Sequence, residues 1–452
     1  HAEVLMPFFA RPPDLATQPK PTVLINARLI DPNSGRDEPG GVLIEDGQIL
    51  DLGTQFRRNA PSGSEVIDCQ GHVVAPGLID MQVFAGEPGA EHRETLHTAS
   101  RAAAAGGVTT MIVMPDTKPV IDQVALVDFT LRRARDNAIV HIHPMAAMTM
   151  GLAGDEMTEI GLLKRAGAIA FSNGKHSVMN TRVMHQVLQY SRDFDALIAH
   201  FAEDANLAGA GSMNAGELAT RLGLSGVPKE AETIILDRDL RLVQLTGARY
   251  HAPTLSCSES VQAIQRARAA GLKVTCGVSI NHLALNENDV VPYRTFYKVR
   301  PPLRGEDDRA AMVRAVQNGD IDVIVSSHDP QDADTKRRPF AEAADGAVGL
   351  ETMLSAAVRV HLNGDADLKV LLRAMTSGPA DLLGLDGGRL VKGAVADLVV
   401  FDPQAPWVVN REDLSSRSKN SPFDEHKMEG RVLRTLVAGH TVYSYAPLEQ
   451  TT

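Results

Sequence analysis

The sequence predicts an α/β fold: a (β/α)8 barrel with a flanking split β-sandwich domain. Three observations carry this. The chain of 452 residues is too long for one small domain, and it suits a barrel of roughly 250 residues or more with an accessory domain. Between residues 76 and 387 a rhythm of short apolar run, loop and helical segment recurs eight times, as expected of a parallel barrel whose strands are buried on both faces. On either side, residues 22–75 and 388–446 read as strands and turns. The simplest arrangement packs these two pieces together as one composite β domain beside a barrel domain of residues 76–387.

Taken in order, residues 1–21 read as an N-terminal arm, proline-rich and extended over 7–20. His1 to Leu5 carry no signal-peptide pattern, and Met6 reads as the natural start. Thr22 to Ile30 is a β run ended by the turn Asp31-Pro32-Asn33-Ser34-Gly35, and Gly41 to Ile49 reads as a hairpin about Asp46-Gly47. The eight barrel strands fall near 78–84, 108–114, 139–145, 167–171, 195–200, 248–255, 272–277 and 321–327. Helical segments lie between them, for example Arg93 to Ala105 and Glu259 to Ala270. Gly393 to Pro403 and Val432 to Val442 return to strand.

Composition narrows the function. A hydrophobic content of 44% supports a sizeable core, and 4% aromatics makes that core aliphatic. The formal net charge of -11 argues against nucleic acid or an anionic membrane as main partner. Three widely spaced cysteines, Cys69, Cys257 and Cys276, suit a reduced cytoplasmic protein. No run of about 18 apolar residues is present to span a membrane.

The most informative stretch is Gly77-Leu78-Ile79-Asp80-Met81-Gln82-Val83-Phe84. Many metal-dependent hydrolases place two histidines on one face of such a strand, spaced Asp-x-His-x-His; here those positions hold Gln82 and Phe84. Further motifs follow in order. Gly86-Glu87-Pro88-Gly89 with Glu94-Thr95 is similar to R-E-P-G…E-T, and Gly106-Gly107-Val108-Thr109-Thr110 to G-G-V-T-T. Met114-Pro115-Asp116-Thr117-Lys118-Pro119 is similar to M-P-N-T-x-P, and His200-Phe201-Ala202-Glu203-Asp204 to H-x-E-D. Leu222 to Pro228, Pro301-Pro302-Leu303-Arg304 and Gly346 to Glu351 match L-G-L-x-G-I-P, P-P-L-R and G-x-x-G-L-E. Together these resemble the dihydroorotase family of the amidohydrolase superfamily, over most of the chain.

That resemblance implies a TIM barrel of the amidohydrolase type and a place in pyrimidine biosynthesis, where dihydroorotases interconvert carbamoyl-aspartate and dihydroorotate. The reaction uses a metal-bound water, a carbonyl polarised by metal and a carboxylate that shuttles a proton. The positions that would supply these are degenerate. After Asp80, Gln82 and Phe84 replace two histidines. Phe171-Ser172-Asn173-Gly174-Lys175 stands for an acidic F-S-D-D-G turn, one residue shorter, with Asn173 where a carboxylate would sit. Thr254 takes the strand 6 ligand position, and Ser327 replaces the strand 8 aspartate that would be ligand and base. His200 is the only retained ligand position. At the substrate clamp, Gly86 stands for an arginine, Asp116 for an asparagine, and Arg300 for the asparagine before P-P-L-R.

The resulting expectation is a dihydroorotase-like pseudoenzyme with no intact catalytic residues, no metal cofactor, and a barrel mouth packed by apolar and amide groups. It is most like the non-catalytic family members that partner the aspartate carbamoyltransferase catalytic chain, and so an oligomer with itself or with that partner. The alternative is an active dihydroorotase, or related cyclic-amide hydrolase, using zinc with relocated or fewer ligands drawn from His200, His251, His328 and Asp329. A third reading keeps the pocket as a sensor, with Arg300 and His200 holding an anion. More ordinary roles compete at each position. A lone histidine such as His200 or His251 is more often hydrogen-bonded in the core than a ligand. Lys175, His176 and the run Lys336-Arg337-Arg338 read as solvated.

Overall fold

The computed structural model describes residues 8–9 and 21–445; apart from Phe8–Phe9, the expected N-terminal arm lies outside them. The eight barrel strands form where the apolar runs fall: Leu78–Val83, Val108–Val113, His141–Pro144, Phe171–Ser172, Leu197–Ala199, Arg249–Ala252, Val274–Ser279 and Val323–Val325. Neighbours pair in parallel. The third strand continues through Ala146–Ala147 to pair the fourth, and the barrel closes where Val83 bridges His328 and the Phe84 amide donates to the His328 carbonyl at 2.8 Å.

An apolar cluster of Met81, Ile112, Met114, Met145, Leu197, Ala199, Val323 and Val325 draws on the first, second, third, fifth and eighth strands. Strands so distributed can meet only inside the barrel, so the interior is a packed core rather than a pore. Leu382 and Leu383, from the helix Ser377–Leu383, pack against this cluster and stopper the end where the strands begin.

The β layer draws on both ends of the described chain. Its nine-stranded sheet runs through Phe8–Phe9, His440–Ser444, Arg431–Val437, Leu398–Asp402, Val73–Pro76, Thr22–Asp31, Arg36–Glu45 and Gln48–Gly53, with Glu65–Asp68 paired beside Thr22–Asp31. The sheet curls on itself, since Gln48 bridges Val395. The core it encloses includes Leu24, Leu29, Val42, Ile49, Leu398 and Leu436.

The helix Leu96–Ala105 joins the layers. Thr95 and Thr98 form its capping box, and its buried face is made of small residues, which allow close approach. Thr435 in the sheet donates to the Ala104 carbonyl at 2.7 Å. At its C-cap, a Cβ on Gly106 would collide with the Leu350 carbonyl oxygen, and backbone has no room to yield. Gly106→Ala is expected to cost about 2–4 kcal/mol, seen as a lower Tm. An unchanged Tm would contradict this close packing.

Candidate functional site: the barrel mouth

The side chains at the C-terminal ends of the barrel strands are organised by one carboxylate, Asp329. One of its oxygens accepts from Arg93 at 2.8 Å and from the Gln331 amide at 3.0 Å; the other pairs with Lys175. Arg93 also donates to the Pro330 carbonyl at 2.8 Å, and its guanidinium lies 4.1 Å from the centre of the Phe84 ring. Phe84 is thus buried beneath a cation that is fixed by Asp329. Burial alone would lower the Lys175 pKa, but Asp329 outweighs it and holds the ammonium above its ordinary value. The expectation of a mouth filled by apolar and amide groups is corrected here: Phe84 and Gln82 are present, but an ion-pair network spans them. Lys175 belongs to that network rather than to solvent, while His176 is exposed.

The degenerate positions are held as follows. Asp80 is fully buried, and its Oδ1 accepts the Gln82 and Ser326 amides at 3.2 and 3.3 Å. Burial pushes its carboxyl up to about 6, against the hydrogen bonds from Ser326. The Gln82 Oε1, Thr254 Oγ1 and Ser327 Oγ atoms are buried and without hydrogen-bond partners, and Ser327 sits at φ +50°. Asn173 is turned towards the loop after the third strand: its Oδ1 accepts the Met148 and Thr149 amides, each at 3.1 Å, and its Nδ2 donates to Thr149 Oγ1 at 2.7 Å.

His200 does not point a free lone pair into the mouth. Its Nε2 accepts the Val178 amide at 2.8 Å, so the ring proton is on Nδ1, which donates to Asp239 Oδ2 at 2.6 Å. Arg238 and the Tyr250 hydroxyl occupy the rest of Asp239. The retained ligand position is therefore a saturated, fully buried structural histidine. His251 differs: its Nδ1 lies 2.9 Å from Thr275 Oγ1, while its Nε2 is buried without a hydrogen-bond partner. His328 accepts the Gly349 amide on Nδ1 at 3.2 Å, and its Nε2 stands 3.4 Å from Glu94.

The clamp positions are filled in different ways. Gly86 has φ +68°, and a Cβ there would meet the Glu94 and Ala90 carbonyls, so this backbone refuses the arginine of the family pattern. Asp116 lies against Gly174, and burial, opposed by Lys175, raises its pKa. Arg300 forms a bidentate pair with Glu203, with contacts of 2.7 to 3.0 Å, and donates to the Gly211 carbonyl at 3.1 Å. The idea that Arg300 and His200 together hold an anion is thus corrected, because both are spent within the fold. Lys336, expected in solvent, is buried and bonds the Thr295 and Ala344 carbonyls at 2.9 and 2.7 Å; burial brings its pKa down to about 7. Arg337 and Arg338 are exposed.

The space left between Gln82, Lys175, Arg300, Ser327 and Asp329 is about 30 Å³, room for a water or two rather than a substrate. Among the described residues no three His, Cys, Asp or Glu side chains converge on one point, and with His200 engaged the donors present do not fit the zinc site of the family pattern. Sequence reading missed Arg93, Asp239 and Glu203 as the partners of Asp329, His200 and Arg300. Their charges were visible; their pairings cross 39 to 236 positions of sequence, and no local spacing reveals them.

Residues 71–260 match the family described as dihydro-orotase-like, and residues 238–443 match the amidohydrolase family. The chain is 42% identical to a dihydroorotase of Ehrlichia canis (strain Jake) and 41% identical to one of Anaplasma phagocytophilum (strain HZ), in each case over 93% of this chain and 94% of the relative. Among solved structures, the L-hydantoinase (dihydropyrimidinase) from Arthrobacter aurescens superposes with a TM-score of 0.84 at 24% identity, covering 95% of this chain and 97% of that one. That likeness shows the same fold.

Two buried histidines give the mouth a pH signature. Burial lowers His251 from 6.5 to about 3 and His282, beside the small space, to about 4. The unfolded chain therefore takes up these protons first. Stability from both rings is present above pH 6.5 and is lost as pH falls towards 4, at up to about 1.4 kcal/mol per pH unit for each. Asp80, raised by burial, acts with the opposite sign. His282→Asn is expected to flatten the decline in Tm between pH 7 and 5; an identical slope would contradict a buried neutral ring.

Proposed function

Because the chain belongs to the dihydroorotase family of amidohydrolases, we propose that it is a catalytically silent, cytoplasmic member of that family. In this reading it serves pyrimidine biosynthesis as a structural partner of the aspartate carbamoyltransferase catalytic chain, and it holds no resident metal. The observation that carries the silence is the state of His200, whose lone pair is taken by the Val178 amide at 2.8 Å. The covered Phe84 and the roughly 30 Å³ left in the mouth support it. A polypeptide that keeps the fold while committing its mouth to internal ion pairs retains its surface as its useful feature. The transcarbamoylase partner rests on the family resemblance.

The name shared by its relatives favours a second reading: an active dihydroorotase, with zinc held by relocated or fewer ligands. Metal analysis, turnover and mixing separate the two. The silent reading expects well under one zinc per chain after purification in zinc, no turnover of carbamoyl-aspartate at pH about 6, and co-elution with aspartate carbamoyltransferase on sizing. Stoichiometric zinc with turnover would overturn the silent reading. A chain that elutes alone would overturn the partnership.

A further inference from the structure

At the end of the barrel away from the mouth, where the strands begin, a cavity of about 610 Å³ opens beneath the stopper helix Ser377–Leu383. This volume lies within the range of small-molecule sites. Much of the lining is apolar, including Leu197, Leu272, Val316, Ile321, Val370 and Leu382. The polar lining is three cations, Arg249, Lys273 and Arg373, and three carboxylates, Asp195, Asp322 and Asp381.

The carboxylates are already matched. Asp195 pairs with Arg249 at 3.2 Å, Asp322 with Arg268, and Asp381 with Arg389. Asp322 also accepts the Cys276 amide at 2.8 Å. Arg249 is further fixed by the Leu382 carbonyl at 2.7 Å. Arg268 and Arg389 lie outside the lining, so Lys273 and Arg373 are left as excess positive charge; neither makes a close ion pair among the described residues, though Arg373 shares the field of Asp322 with Arg268. In a chain of net charge -11, two excess cations in one cavity are not a by-product of general basicity. An ammonium and a guanidinium beside an apolar lining suit a carboxylate or phosphate carried on an apolar body.

We propose that this cavity is a second binding site, for an organic anion, independent of whether the mouth is active. Calorimetric titration of the full chain with phenyl phosphate, benzoate, inorganic phosphate and neutral benzyl alcohol tests it. Phenyl phosphate or benzoate is expected to bind saturably, and which of them binds tighter assigns the head group. Inorganic phosphate, lacking the apolar body, and benzyl alcohol, lacking the charge, are expected to bind at least tenfold more weakly. Lys273 and Arg373 are exposed, so Lys273→Ala and Arg373→Ala are expected to fold with unchanged Tm and to weaken the anion at least tenfold. Absence of saturable binding by both organic anions, affinity unchanged in both variants, or inorganic phosphate binding as tightly as phenyl phosphate would overturn the proposal.

Discussion

A largely shielded carboxylate must find cations, and at this barrel mouth Asp329 gathers two of them. Asp329 follows the last barrel strand, Arg93 lies in the segment after the first, and Lys175 in the turn after the fourth. Holding one charge therefore ties three separate loops together. Removing both cations would leave the Asp329 charge with only the Gln331 side chain in a poorly solvated place, whereas removing one leaves the other paired with it. Gln331 and the Pro330 carbonyl complete the arrangement. Arg93, once fixed, lies over Phe84, and Lys175 shares its field with Asp116. Groups that could have met a substrate are in this way spent on one another.

The same economy governs the far side of the mouth. His200 keeps the position of a metal ligand but satisfies a backbone amide on one nitrogen and Asp239 on the other. Asp239 is in turn filled by Arg238 and Tyr250, which anchors the helix Glu230–Thr246 to the fifth and sixth strands. Arg300 is closed off by Glu203. Each pairing is a sound structural interaction, and the polar atoms they leave unpartnered at the degenerate positions are Gln82 Oε1, Thr254 Oγ1 and Ser327 Oγ.

Much of the fold was legible because its signals are local. Short apolar runs marked all eight strands, and the two β segments differ from the barrel in rhythm. The site could be read by substitution alone: Gln82, Phe84, Thr254 and Ser327 stand where the family pattern has ligands, and the sequence does not say what surrounds them. Lys175 and Lys336 were misread because a lysine in a loop is usually solvated, whereas here Asp329 and a set of backbone carbonyls draw both inward. Arg300 was misread for the same reason in reverse: its partner Glu203 sits in a motif on a different strand, and only the closed barrel brings them together.

The closure of the mouth turns on the tautomer of His200, which long-range ¹H–¹⁵N correlation spectra of the histidine rings observe directly. With zinc added in slight molar excess at pH 7, the expected result is a proton on Nδ1, an acceptor Nε2, and no change in either nitrogen shift. A zinc-dependent displacement of the Nε2 resonance would show that the Val178 amide yields its place to a metal, and would contradict the closed mouth described here.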